Sequence, residues 1–279
     1  MEPQRLYGKM TLEMNQMIRR FLIPSALPLL GAVALVLAPT YLQAQFGPPP
    51  PQAPRPAKTV APEDLTGYWV SIVTEDWRWR MVTPAKGDFT SVPLNQEGRK
   101  AGEAWDPDKD IASGNQCKAY GAAAIMRVPG RVHITWVDDN TLKVETDAGT
   151  QTRMFHFNAK MPANEAASWQ GYSNASWDGL RPPPRGRGAA APAPSGGTLK
   201  VVTTDMKAGY LRKNGVPYSS NAVLTEYFDR TNEPNGDSWL IVTTIVHDPA
   251  NLYQDFVTST HFKMEKDGSK WSPSACEAK

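Results

Sequence analysis

The stretch "RVHITWVDDNTLKVETDAGTQTRMFHFN", residues 131–158, decides the fold class. Apolar and polar residues alternate along three of its parts, 131–138, 141–147 and 150–158. A period of two is the signature of a β-strand with one buried face, and the turn-forming stretches VDDNT and DAGT separate the parts. The stretch therefore predicts three strands joined by tight turns.

The same pattern recurs along the rest of the chain. Further strands are predicted at 65–73, 78–83, 198–206, 222–230, 238–248 and 257–266. About nine strands joined by short turns close most simply into an all-β, antiparallel up-and-down barrel of about 8–10 strands. The alternative is a two-sheet β-sandwich. One short helix is expected at 94–106, with Asn95 placed to cap it and Glu97 in its first turn.

The first 44 residues have the pattern of a secretory signal. Two arginines precede an apolar run at 21–37, and Ala44 is the small residue expected before the cleaved bond. A membrane anchor is the alternative, but the run is short for spanning and two prolines interrupt it. We expect cleavage near Ala44 and a periplasmic or secreted bacterial protein, which contacts a membrane only if the signal stays uncleaved.

Two low-complexity segments define the domain organisation. Residues 45–62 are rich in proline and predict an extended linker. A Pro/Gly/Ala-rich stretch at about 178–197 interrupts the strand pattern and predicts a disordered surface insertion. The barrel domain is therefore placed at 63–279, with the insertion inside it.

The charge balance argues against a polyanionic partner. The chain has 30 Lys and Arg against 28 Asp and Glu, and removing residues 1–44 takes away four basic and two acidic residues, leaving 26 of each. A neutral domain offers no basic field to hold nucleic acid. No phosphate loop, dinucleotide fingerprint or nucleophile elbow is present, so no cofactor is expected.

Cys117 and Cys276 are the only cysteines. In an exported chain an even count predicts a disulfide. The bridge closes a loop of ~160 residues, for which the chain-entropy model gives about 4–5 kcal/mol. The alternative is a reactive thiol at Cys117, activated by Lys118. Two thiolates are too few for a structural zinc site.

An ordered set of motifs carries a resemblance to known proteins. "DLTGYWV", with Gly67 and Trp69 on the first strand, looks like the opening of lipocalin-type barrels. The longer order, from "QCKAYGAAAIMRVPGRVHITW" through "TDAGTQTRMFHF" and "LKVVTTDMKAGYLRKNGVPYS" to "VTTIVHDP", resembles exported lipocalin-like (calycin-type) β-barrel proteins of environmental bacteria. It covers nearly all of 63–277. The resemblance implies a fold and a compartment, but no shared chemistry.

Aromatic residues give candidate ligand contacts. A barrel of this size has room for one small molecule, and flat side chains with a polar handle suit an apolar or aromatic one. The predicted contacts are Trp136, Trp169, Tyr172 and Trp177, and the alternative for each is ordinary core packing. Arg153 and Glu226 stand in mid-strand, where they either face solvent or pair with each other inside the barrel.

The segment "GYLRKNGVPYS" at 209–219 concentrates polar groups. Two phenols and two cations around one turn could bind an anionic or carbonyl oxygen. We predict that this segment and the 169–177 segment together close one end of the barrel over the ligand. The catalytic candidates are Tyr210, Arg212, Tyr218 and His247, the last beside Asp248 at a strand end.

The four histidines do not have metal-ligand spacing, so no metal site is expected. Two functions follow from the same pocket. The first is capture of a small apolar or aromatic molecule. The second is a cofactor-free lyase, hydratase or isomerase acting on such a molecule by acid–base chemistry. A purely structural protein is less favoured, because nine tryptophans exceed what a scaffold requires.

Overall fold

The structure, a computed structural model, describes residues 55–180 and 197–278. The predicted signal at 1–44 and most of the predicted insertion lie outside these residues. The strands of the described residues are β1 (Gly67–Ile72), β2 (Arg131–Asp138), β3 (Thr141–Thr146), β4 (Gln151–Phe157), β5 (Tyr172–Asp178), β6 (Thr198–Thr204), β7 (Gly209–Arg212), β8 (Val216–Tyr218), β9 (Val223–Asn232), β10 (Ser238–His247) and β11 (Phe256–Glu265). Nine of them form a closed barrel in the order β1-β11-β10-β9-β6-β5-β4-β3-β2, which confirms the predicted class.

One pair of neighbouring strands is parallel, whereas every other pair in the ring is antiparallel. β4 and β5 run in the same direction, with Phe155 opposite Ser173. An odd number of strands cannot alternate in direction all the way around a closed ring, so one parallel pair is required. Residues 158–171 make the return crossing that this pair needs.

One end of the barrel, here called the capped end, carries most of the irregular chain. The long connection 73–130 leaves β1 there and holds α1 (Trp77–Arg80), α2 (Gln96–Glu103), α3 (Pro107–Ala112) and α4 (Ala122–Ile125). The chain between β6 and β9 forms a separate hairpin of β7 (Gly209–Arg212) and β8 (Val216–Tyr218), while β6 and β9 pair directly in the ring. Phe89, Leu211 and Tyr218 form one buried cluster with Leu224 and Phe256 of the barrel strands. The cap is therefore packed onto the barrel.

The predicted elements need three adjustments. The predicted helix is α2, and the Asn95 side chain accepts a hydrogen bond from the Gly98 N–H at 2.9 Å; three further short helices accompany it. The segment 78–83 was predicted as a strand and is instead the end of α1 and the turn after it. Residues 172–178 form a strand that was not predicted. The expected number of barrel strands is right because one loss and one gain cancel, and β7 and β8 form a hairpin outside the ring.

The opposite end is closed by the segment that enters the barrel. Ala57, within the predicted linker, is buried; its N–H donates to the Asn140 side chain, and its carbonyl accepts from the Trp177 indole. The Trp69 indole likewise donates to the carbonyl of Leu65 at 3.0 Å. The packed body therefore begins before residue 63.

The C-terminal tail runs along the outside of the barrel. Trp271 packs edge-on against Tyr68 and His133, and the Ser274 N–H donates to the Asp147 carbonyl at 2.9 Å. The tail ends in a disulfide between Cys276 and Cys117, which confirms the predicted pairing. None of the helices in the described ranges is long and apolar enough to cross a bilayer.

Candidate functional site

A cavity of about 300 Å³ lies at the capped end. Its walls come from α1 and the residues that follow, the 119–129 segment, the end of β7 and the C-terminal tail. The lining includes Trp79, Arg80, Met81, Val82, Tyr120, Arg127, Val128, Pro129, Leu211, Arg212, Lys213, Ser274 and Glu277. Apolar and aromatic surface thus meets four cationic side chains, of which Lys213 pairs with the Glu277 carboxylate at 3.7 Å.

Three of the four cations are buried arginines, and two of them pair with acids. Arg80 pairs with Glu75, and its Nε donates to the Arg127 carbonyl at 2.8 Å. Arg127 pairs with Asp76, with Nη2 and Oδ2 3.0 Å apart. These contacts hold both guanidinium groups at fixed positions in the cavity wall.

Arg212 has no such acidic partner. Its Nη1 donates to the Thr90 carbonyl at 2.7 Å, and no carboxylate of the described residues lies within ion-pair distance. Its Nε and Nη2, like Nη1 of Arg127, are buried without a hydrogen-bond partner. Burial, then the charge of Arg127, lowers the pKa of Arg212 to about 10, so the group stays charged at neutral pH. Unpaired buried N–H groups of a cation favour an anionic ligand.

Hairpin geometry places Arg212 in the wall. Gly215 takes φ +81, and its N–H donates to the Arg212 carbonyl at 3.2 Å, which turns the chain between β7 and β8. The Asn214 side chain donates to the carbonyls of Ala85 and Asp88, tying the hairpin to the loop after α1. The Arg212 guanidinium then lies 5.1 Å from the centre of the Trp79 ring.

Tyr210 and Tyr218 lie close in the chain but have different surroundings. The Tyr210 hydroxyl donates to Asp110 at 2.7 Å, and Asp110 also pairs with Lys118. Burial, assisted by the bond to Asp110, raises the pKa of Tyr210. The Tyr218 hydroxyl is buried without a partner, and burial raises its pKa also. Phenols with raised pKa values remain neutral donors and are poor general bases.

The aromatic candidates do not come together. The Trp169 carbonyl accepts from Ala122 at the capped end, whereas Trp177 packs on Phe157 near the opposite end. Trp136 also packs on Phe157 and borders a different cavity of about 560 Å³, beside Glu63 and Asp64. Trp169 and the 209–219 segment therefore lie at the same end, although Trp169 does not line the cavity of Arg212, and Trp177 lies at the other end. That the two segments close over a ligand stays a prediction.

Tyr172, the fourth aromatic candidate, is buried at the start of β5. It stacks on His156 of β4 with ring centres 4.9 Å apart. The contact joins the two parallel strands.

Arg153 and Glu226 form a buried pair inside the barrel. Arg153 Nη1 and Nη2 donate to the two Glu226 oxygens at 3.0 and 2.6 Å, and Nη2 also donates to the Thr203 hydroxyl at 3.2 Å. Hydroxyls of neighbouring strands extend a polar belt around the interior; its members are Arg153, Ser173, Thr203, Glu226, Thr244 and Thr258. The pair belongs to the barrel interior and does not line the cavity of Arg212.

His247 and Asp248 do not form a pair. The His247 ring lies 2.7 Å from Asp255 on the surface. Asp248 is buried and accepts from the backbone and hydroxyl of Ser219 and from the side chain of Asn251. His247 is the last residue of β10 and is exposed, whereas Asp248 follows the strand and is buried, so the two side chains contact different groups.

Sequence reasoning missed Trp79, Arg80 and Arg127. In "RWRMVT", residues 78–83, basic residues alternate with apolar ones, and this pattern predicts a strand rather than a site. The sequence around Arg127 has no pattern that marks a site, because Arg127 reaches the cavity only when the 73–130 connection folds back against α1.

The described residues contain no metal-type cluster: no three His, Cys, Asp or Glu side chains of 55–180 and 197–278 could hold a metal ion. Comparisons of the chain with protein-family models, curated proteins and solved structures found no match.

Proposed function

We propose that this barrel binds a small apolar or aromatic molecule that carries an anionic group, in the cavity at the capped end. The observation that carries the proposal is that Nε and Nη2 of Arg212 and Nη1 of Arg127 are buried without partners beside an apolar wall. A cavity of about 300 Å³ is at the small end of the usual range for ligand sites. Trp79, Tyr120 and Leu211 supply the flat and apolar surface.

Binding is favoured over catalysis at this site. Acid–base chemistry requires a base near the reacting atom, and the Tyr210 hydroxyl is already engaged by Asp110. His247, the other candidate base, lies on the surface and pairs with Asp255. The buried cations instead favour holding an anion in place.

The first test uses two fluorescent probes that differ by one charge. Anilinonaphthalene sulfonate has a sulfonate that N-phenylnaphthylamine lacks, on nearly the same ring system. We expect the parent to prefer the sulfonate, and Arg212→Gln to weaken sulfonate binding about tenfold or more, because a hydrogen-bonded charge pair is lost. Binding of the neutral probe should change less than about twofold.

Arg230→Gln is the matched control. The Arg230 guanidinium also lies over a tryptophan, 5.7 Å from the Trp69 ring, and it contacts the Asp64 carbonyl near the opposite end. This variant should bind both probes as the parent does. Equal binding of the two probes by the parent, unchanged in Arg212→Gln, would show that the cavity does not select anions.

We also propose that the protein is exported, in keeping with the leader and with one disulfide joining its two cysteines. Mass spectrometry of the protein recovered outside the cytoplasm should give an N-terminus close to Gln45. An intact leader in that fraction would contradict cleavage.

A further inference from the structure

Exposed apolar side chains cluster at the rim of the cavity. Trp77, Met81 and Val82 are 64 %, 59 % and 68 % exposed. They account for three of the eight large apolar side chains exposed in the described residues, yet they fall within six consecutive positions. Single exposed apolar residues are ordinary, but a local group of this kind marks an interaction surface.

The charges around this group are positive on balance. Arg78 is exposed between the apolar residues. Three carboxylates lie nearby. Glu75 pairs with Arg80 and Asp76 with Arg127, whereas Asp88 accepts from the Trp79 indole and is attracted to Arg78. The surface therefore presents the apolar side chains of Trp77, Met81 and Val82 together with the exposed Arg78. The paired arginines of the cavity wall, Arg80 and Arg127, lie behind them.

We propose that Trp77–Val82 docks onto a lipid bilayer that contains anionic lipids. Tryptophan partitions to the boundary between headgroups and acyl chains, and an arginine can keep its charge among headgroups while its neighbours insert. Each basic residue near an anionic surface strengthens binding about fivefold. The proposal departs from the sequence-based expectation that only an uncleaved signal contacts a membrane, because it gives the folded domain a membrane contact of its own.

A protein partner fits these residues less well. A stable protein interface takes roughly 800 Å² and 20–30 residues from each side. Three projecting side chains on a short helix and turn provide a small part of that, whereas shallow insertion into lipid needs only a few apolar tips. Because Met81 and Val82 also line the cavity, docking turns the cavity rim toward the lipid layer.

The test is flotation of the exported protein with vesicles, with no cavity ligand added, so that its outcome is independent of the proposed ligand. Vesicles of phosphatidylcholine alone are compared with vesicles of phosphatidylcholine and phosphatidylglycerol in roughly equal parts. The N-terminus of the sample is read first by mass spectrometry, since an intact apolar leader would bind lipid by itself.

The parent should float with the anionic vesicles, and Trp77→Ser/Met81→Ser/Val82→Ser should lose about tenfold or more in partitioning. Arg78→Gln should lose about fivefold on anionic vesicles and little on neutral ones. The matched control is Val137→Ser/Tyr253→Ser/Val257→Ser, three residues that are 54 %, 70 % and 57 % exposed elsewhere; it should float as the parent does.

Any of three results would overturn the proposal, and the first two come from flotation itself. The first is a parent that does not float with anionic vesicles, and the second is a triple variant that floats as well as the control. The third is a parent that forms dimers in solution which the Trp77, Met81 and Val82 substitutions dissociate, because the patch is then an interface between copies of the chain.

Discussion

Glu226 and Arg153 carry opposite charges into the middle of the barrel, where neither is accessible to solvent. Removing two charges from water costs several kcal/mol per ion, and two short hydrogen bonds with a third from Arg153 to Thr203 offset that cost. The pair is therefore a weak source of net stability. Loss of one partner alone is strongly destabilising, because the other charge then stays buried and unpaired.

Glu226→Gln is expected to lower the free energy of unfolding by about 3–5 kcal/mol, because it leaves the Arg153 charge buried and uncompensated. Denaturant unfolding measures the loss. The control is Glu145→Gln, which breaks a half-exposed pair with Lys143 and should cost less than about 1 kcal/mol. Removing both charges with Arg153→Met/Glu226→Leu should cost less than Glu226→Gln alone. Similar losses in all three variants would contradict this account.

Titration of Glu63 is expected to lower the stability of the fold as the pH rises. Burial raises its pKa from 4.5 to about 7, and the charge of Asp229 adds to this against the hydrogen bond from the Arg230 N–H. Because the folded state holds this proton more tightly than the unfolded chain, the stability contribution is full below pH 4.5 and is lost as the pH rises to about 7. Glu63→Gln should therefore flatten the stability profile across this window.

The measurement for Glu63 is the denaturant midpoint at about pH 5 and about pH 8. We expect the denaturant midpoint of Glu63→Gln to rise relative to that of the parent at the higher pH only. Glu97→Gln, at an exposed position on α2, is the control and should follow the parent at both values. A profile of Glu63→Gln that parallels the parent would rule out titration of Glu63 in this range.

Strands with a regular period of two were predictable, and the elements without one were not. Alternation located β2, β3 and β4 within one or two residues because each has one apolar face inside the barrel. β5 was missed because small residues, Ser173 and Ala175, occupy its interior positions and give little apolar contrast. The 78–83 segment alternates in type, but Asp76 at φ 51 starts a helix there.

The sequence pointed to a residue of the cavity only where one short segment concentrates polar side chains. The 209–219 segment was singled out for its charges, and Arg212 does line the cavity. Trp79, Arg80 and Arg127 reach the same cavity through the folding of a connection of nearly sixty residues, 73–130, and no local pattern reports such a contact. The disulfide was predictable because the cysteine count allowed one pairing.

Asn95 ties α2 to the loop between β10 and β11. Its side-chain oxygen caps the helix through Gly98, and its amide donates to the carbonyls of Pro249 and Ala250, each at 3.2 Å. Asn95→Ala should cost about 1–2 kcal/mol. Asn95→Asp keeps the cap and loses the two donated bonds, so denaturant unfolding should place it between the parent and Asn95→Ala. If Asn95→Asp is less stable than Asn95→Ala, the hydrogen bond that the side chain accepts from Gly98 is not what stabilises the contact between α2 and the loop.

The C-terminal tail joins the body of the barrel to the wall of the cavity. The disulfide links Cys276 to Cys117 across 159 positions of sequence, and the nearby Ser274 and Glu277 line the cavity. Cys117→Ser/Cys276→Ser should lower the free energy of unfolding by about 2–4 kcal/mol and weaken binding of the sulfonate probe. Dithiothreitol should lower the free energy of unfolding of the parent to that of the variant, and it should leave the value for the variant unchanged. A parent that is insensitive to the reductant, although the bond is broken, would contradict this role.

The single parallel pair, β4 with β5, limits how such a barrel can grow or shrink. Duplicating or deleting a hairpin changes the count by two, so nine becomes eleven or seven and the same-direction pair must remain. Gaining or losing one strand restores full alternation and removes the need for the return crossing at 158–171. That crossing brings Trp169 back to the cap, so a relative with an even number of strands has to assemble this part of its cap from another segment.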